Sequence, residues 1–213
     1  MRRACVFIDG SNFYHRVLKK IGIQESRFDF VAFVQFLCTS SVESENTFRH
    51  YSGVISGIDF REMSEAARDH HKVVRSLMSI DGWSVITTKL RTRVECLYID
   101  DRVDNHASLR ALGITEIKFQ REREKAIDMK IGLDMVIGAL DNLYDVAILV
   151  SSDSDLVPVC DLVRTRFKKH VEYVGFHIVL EGESDATVPT KALIYATSSQ
   201  RILRLDDVRR FVR

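Results

Sequence analysis

Three short segments of the chain hold acids where α/β proteins do their chemistry. Val6-Phe7-Ile8 runs straight into Asp9-Gly10-Ser11-Asn12, and Ala147-Ile148-Leu149-Val150 runs into Ser151-Ser152-Asp153-Ser154-Asp155. In open α/β sheets ligands bind outside the carboxyl ends of the strands, often where the strand order reverses. With both runs as central parallel strands, Asp9, Asp153 and Asp155 converge on one edge. Carboxylates brought together raise each other's pKa and cost stability unless a cation or proton intervenes. Mg²⁺ is typically held by one or two carboxylates plus waters and substrate phosphate. An Asp or Ser after a strand is also the commonest helix N-cap, which accounts for Asp153, Asp155 or Asn12 taken singly. Two such strands, joined by a third source of acid, favour the metal site.

That third source is Arg123-Glu124-Lys125-Ala126-Ile127-Asp128-Met129-Lys130-Ile131-Gly132-Leu133-Asp134, within a helix expected over 125–143. Ile127, Ile131, Leu133 and Met135 mark its buried side. Lys125 and Asp128, three apart, share a face near the N-terminus. Asp134 lies six residues past Asp128, roughly 120° round the helix. The two therefore do not serve one metal, and Asp134 is expected to support the site through a buried partner, as is Ser151.

The elements that must position these acids alternate between strand and helix. Ala4–Ile8 is a short continuous apolar run, suited to a strand buried on both faces. A helix follows, with Ser11 or Asn12 as its cap, and another covers Phe30–Leu37 behind Asp29. Strands are expected at Tyr51–Ile55 and Trp83–Thr88, separated by a helix over Asp59–Ile80. Cys96–Ile99 and Ile114–Phe119 read as a peripheral ribbon or insertion. Val146–Val150 is the clearest buried strand, followed by a helix over Leu156–Phe167 and a strand at Val171–Phe176. Such alternation argues for a central, mainly parallel sheet flanked by helices on both faces. We expect one domain over 1–180, with an insertion at 89–120, and a C-terminal extension over 181–213. That tail carries the composition of a peripheral helix or loose segment, able to pair two subunits as a homodimer or to cover an open sheet edge.

Composition sets the outer bounds. The 213 residues carry 31 Lys and Arg against 30 Asp and Glu, a net charge of +1 that excludes a strongly basic nucleic-acid coat. Four cysteines are scattered singly, which suits a reducing compartment and argues against a disulfide scaffold or structural zinc. No apolar run approaches the roughly 18 residues that span a bilayer. The chain reads as soluble and cytoplasmic, with no membrane partner.

Taken together and in order, the three motifs resemble the NYN domain, in its LabA-like branch, within the PIN-like nuclease superfamily. The matching segments are Phe7 to Asn12, Glu124 to Asp134 and Ile148 to Leu156. The resemblance implies a Rossmann-like PIN fold and a metal-dependent ribonuclease site. By position it gives Asp9, Asp128 and Asp153 as the metal-binding acids, with Asp155 completing the cluster and Asn12 beside it. The family's Lys-Gly-Val-Asp here has Ala126-Ile127 as its middle pair, and its Ser-Gly-Asp-Ser-Asp-Phe is Ser151-Ser152-Asp153-Ser154-Asp155-Leu156. Every acid survives both changes.

Carboxylate-held Mg²⁺ or Mn²⁺ lowers the pKa of a bound water, orients it for in-line attack on a phosphodiester and neutralises the leaving oxygen. Lys125 and Ser11 are expected near the substrate phosphate. Arg91 and Arg93, in a region without a family match, are the favoured RNA contacts. Tyr14 and His15 are placed to stack on a base of single-stranded RNA. The basic run Arg164–His170 fits a helix C-terminus, where cations favour the dipole. His70 and His71, adjacent on a helix, read as surface, and Trp83 as core. Two classes of function follow: a metal-dependent ribonuclease, or a catalytically weak RNA-binding or regulatory module on the same fold. A phosphatase of the haloacid dehalogenase type needs Asp-x-Asp directly after the first strand, and Ser11 stands where the second acid is required.

Overall fold

Every residue of β1 (Ala4–Asp9) is buried, and the alternation of the strand sorts them onto two cores. Ala4, Val6 and Ile8 join Phe13, Phe28 and Phe33 on one face. Cys5 and Phe7 join Ile131, Met135 and Cys160 on the other. Side chains of successive strand residues point to opposite faces, so a run apolar at every position needs cover on both. The computed structural model describes residues 2–39, 46–54, 63–89, 91–123, 126–182 and 185–213, with backbone alone at 53–54, 91–93 and 121–123. Lys125 and the start of the helix expected from Asp59 lie outside the described residues.

After β1 comes α1 (Gly10–Phe13), which continues as a π turn over Tyr14–Leu18. Its cap is Asp9, not Ser11 or Asn12: the Asp9 carboxylate accepts the Asn12 backbone N–H at 3.0 Å. A Cβ on Gly10 would stand 2.8 Å from the Tyr51 carbonyl oxygen and run into the ring of His50, so the chain passes here only without a side chain. Next follow α2 (Phe30–Leu37), begun by Asp29 as expected, β2 (Thr47–Val54), α3 (Glu65–Met78) and β3 (Trp83–Lys89). The antiparallel ribbon of β4 (Arg91–Tyr98) and β5 (Glu116–Arg123) stands apart from the main sheet. Between its strands lies α4 (His106–Ala111), which buries none of its residues and left no apolar pattern to read. The remaining elements are α5 (Ile127–Leu140), β6 (Val146–Val150), α6 (Val157–Thr165), β7 (His170–His177), α7 (Lys191–Ala196), β8 (Ser199–Arg204) and α8 (Leu205–Arg209).

The main sheet has the order β3-β2-β1-β6-β7-β8, and every neighbouring pair is parallel. The chain winds outward from β1 to β3, returns through the ribbon and α5, and then builds from β6 on the other side of β1. The order therefore reverses between β1 and β6, the two strands whose ends carry the acids.

Four expectations are corrected. Leu133 is 56% exposed, while Ile127, Ile131 and Met135 are buried. The tail is neither loose nor only helical: β8 adds to the free edge of β7, Arg201 pairs with Glu172 at 2.8 Å, and Arg213 reaches Asp29 at 2.6 Å. The strands of the ribbon are longer than the pattern of Cys96–Ile99 and Ile114–Phe119 suggested. His70 is half-buried and bonded at both ring nitrogens, not a free surface residue. Its Nδ1 lies 2.6 Å from Glu25 and its Nε2 2.9 Å from Ser52 Oγ, and both partners are buried. Trp83 packs against the core, partly buried.

Candidate metal centre

The register of the two central strands sets the site. Ile8 pairs with Val150, so Asp9 and Ser151 emerge side by side at the sheet edge. The Ser151 hydroxyl donates to Asp9 Oδ2 at 2.9 Å and accepts the Asp153 N–H at 3.1 Å. Asp9 and Ser151 are almost fully buried, at 3% and 2% exposed. Asp9 thus anchors the loop after β6 from behind.

That loop is held from three sides. Asn12 Oδ1 accepts the Ser152 N–H at 3.0 Å, and the Thr190 hydroxyl donates to the Ser152 carbonyl at 2.7 Å. Asp153 Oδ1 in turn accepts the Asp155 N–H at 2.9 Å, fixing the turn over Ser154–Leu156 that starts α6. Nothing in the sequence around Thr190 marks it for this role, because its partner lies 38 residues away.

Asp128 enters from the first turn of α5. One carboxylate oxygen from each of Asp128, Asp153 and Asp155 lies within 4.8 Å of the other two, and this is the one such acid, histidine or cysteine group among the described residues. Partial burial, followed by the charges of Asp153 and Asp155, pushes the Asp128 carboxyl above its ordinary range. The donors are hard oxygens. Ligands at about 2.1 Å from a shared octahedral Mg²⁺ stand about 3.0 Å apart when adjacent and about 4.2 Å apart when opposite, so side-chain rotation of these carboxylates toward one another would close the set. A divalent cation fits these residues and relieves the repulsion they otherwise carry.

The structure brings together Asp128, Asp153 and Asp155, with Ser151, Asn12 and Asp9 directly behind them. Ser11 lies in α1, half-buried. Tyr14 packs partly against the core, and exposed His15 meets it edge-on at 5.2 Å between ring centroids. Asp134 has partners of its own: it accepts the Tyr51 hydroxyl at 2.8 Å and pairs with Arg49 at 3.3 Å. Arg91 and Arg93 lie at the start of β4, where the backbone alone is described. The basic run 164–170 surrounds the opposite end of the sheet, near Arg2 and Asp145.

A parallel sheet with carboxylates gathered past the strand ends at its switch point belongs to the Rossmann-like class and is consistent with a PIN-like fold. The profile of the NYN domain matches residues 3–193, and the chain belongs to that family, whose members are generally nucleases. No curated protein matches the chain. Among solved structures it is similar to a protein of unknown function, VPA0982 from Vibrio parahaemolyticus RIMD 2210633. The identity is 20% and the TM-score 0.52, covering 100% of this chain and 96% of the other, a likeness of fold.

Proposed function

We propose that the protein is a metal-dependent ribonuclease of the LabA-like branch, within the PIN-like superfamily, and that single-stranded RNA is its substrate. The observation that carries this reading is the convergence of Asp128, Asp153 and Asp155 within 4.8 Å at the switch point. Asp128, Asp153 and Asp155 would hold Mg²⁺ or Mn²⁺, with Asp9 either joining them or fixing their loop through Ser151. The bound cation supplies activation of the attacking water and neutralisation of the leaving oxygen. Ser151, Asn12 and Thr190 hold the β6 loop so that Asp153 and Asp155 need little rearrangement, which is how a preorganised site gains over water. Ser11, Lys125, Arg91 and Arg93 are the residues proposed to meet the substrate phosphates. Scattered single thiols suit work in a reducing compartment such as the cytoplasm.

The test is cleavage of labelled RNAs and single-stranded DNAs with Mg²⁺, Mn²⁺ or EDTA, comparing the natural protein with Asp128→Asn and Asp153→Asn. The expected result is metal-dependent RNA cleavage that both substitutions reduce to the EDTA background. Metal binding without cleavage would instead favour a regulatory module, and metal binding indifferent to both substitutions would remove the cluster from the account.

A further inference from the structure

The ribbon between β3 and α5 carries a charge pattern that the fold itself does not need. Its register sets Arg91 opposite Arg123 and Arg93 opposite Arg121. Residues two apart on a strand share a face, as do residues directly opposite across an antiparallel pair. The four arginines therefore form two successive rungs of one face. The next rung of that face is Glu95 with Phe119, and the one after it Leu97 with Ile117. Like charges directly opposite destabilise a strand pair, and a two-stranded ribbon has little stability of its own to spare. One glutamate follows four arginines on this face, so its excess is cationic. A polyanion converts that repulsion into attraction.

The arginine rungs are also the rungs nearest in the chain to Asp128. Arg123 ends β5 five residues before Asp128, and a fully extended chain of that length spans at most about 18 Å. Successive rungs on one face are about 6.8 Å apart, two residues at 3.4 Å each, of the order of the phosphate spacing in an extended single strand. Beyond them, Phe119 is 42% exposed, with Leu97 and Ile117 open to a similar degree. An exposed aromatic beside a narrow cationic track is the combination by which proteins hold unpaired bases.

The geometry points to this face as a track for the phosphate backbone of a single-stranded nucleic acid, leading toward the carboxylate cluster, with Phe119 as the platform for one base. The inference rests on the nuclease reading for its substrate class, but it adds a binding arm made of Arg91, Arg93, Arg121, Arg123 and Phe119.

The test separates binding from cleavage. Fluorescence anisotropy of a labelled oligouridine 12-mer, in EDTA and from 50 to 300 mM salt, reads affinity and its salt slope for the full chain. Each phosphate contact to a single strand contributes about 0.7 to that slope, or about fivefold in affinity at 0.1 M salt. Arg93→Ala with Arg121→Ala is expected to lower the slope by about 1.4 and the affinity by about 25-fold. Arg93→Lys with Arg121→Lys should keep most of both, which separates lost charge from a disturbed ribbon. Phe119→Ala should weaken binding with the slope unchanged, and Arg164→Ala, at the other end of the sheet, should change neither. Natural affinity and slope in the alanine pair would overturn the track, and equal binding of a duplex of the same length would overturn its single-strand character. If RNA cleavage needs Asp153 while the ribbon variants bind and cleave normally, the nuclease reading stands and the track falls. Ribbon-dependent binding with no metal-dependent cleavage would leave the track standing and remove the nuclease reading.

Discussion

His50 makes the stability of this protein depend on pH in a way that can be worked out in advance. It lies on β2 beside Gly10, completely buried, with its ring edge-on to Phe30 at 5.2 Å. Neither ring nitrogen has a hydrogen-bond partner among the described residues. Burial, and then the neighbouring His70, lower its pKa from 6.5 to about 3. Below pH 6.5 the unfolded chain takes up a proton on this ring that the folded chain refuses until about pH 3. The unfolded state then binds more protons, so stability falls as the pH falls through that window. Between pH 7 and pH 5 the single-site loss integrates to about 2 kcal/mol. For a chain of this size that is roughly 4–8 °C in Tm. The perturbation is His50→Asn, which cannot titrate, followed by thermal melts of both proteins at the two pH values. Asparagine costs stability of its own through lost packing, but that cost does not vary with pH. Groups that titrate in both proteins cancel in the comparison. The natural protein should lose about 4–8 °C more than the variant on going from pH 7 to pH 5. Equal losses would mean that the ring is not held neutral in the fold, and the reasoning from burial would fail.

Ser151→Ala removes a hydrogen bond to the Asp9 carboxylate and the acceptor of the Asp153 N–H. A loss of about 2–4 kcal/mol is expected, seen as a drop of roughly 5–15 °C in melting. Calorimetric titration with Mn²⁺ should also show affinity falling about 10–100-fold; natural values in both measurements would uncouple Asp9 from the cluster. Ala126 precedes α5 in the left-handed region at φ 68°, a conformation that costs L-residues roughly 1–2 kcal/mol and glycine almost nothing. Ala126→Gly, the family's residue, should therefore raise the melting temperature slightly, by up to about 1 kcal/mol in stability, and a lower melting temperature would contradict the strain.

The legible parts of this fold are those whose cause is local. Val146–Val150 reads directly as a strand because burial on both faces demands an unbroken apolar run, and Asp29 reads as a cap because its partner N–H is three residues on. β8 does not read, since Ser199–Arg204 is an edge strand whose place is set by the free edge of β7. Its Arg201 looks like surface charge until Glu172 and the ring of Phe36 are brought to it by the tertiary fold. His70 misleads in the same way, because Glu25 and Ser52 are 45 and 18 residues distant.

The site divides along the same line. Acids after β1 and β6 and at the start of α5 are visible as residues at strand and helix ends, but which of them close on one point is decided by how far each lies from the sheet edge. Asp9 is the last residue of its strand, already engaged as the cap of α1 and as the acceptor for Ser151. Asp153 and Asp155 stand three and five residues past the end of β6, forward of that edge, where the first turn of α5 delivers Asp128. Asp9 at the strand end therefore holds the Ser151 hydroxyl, and the acids beyond it form the close group.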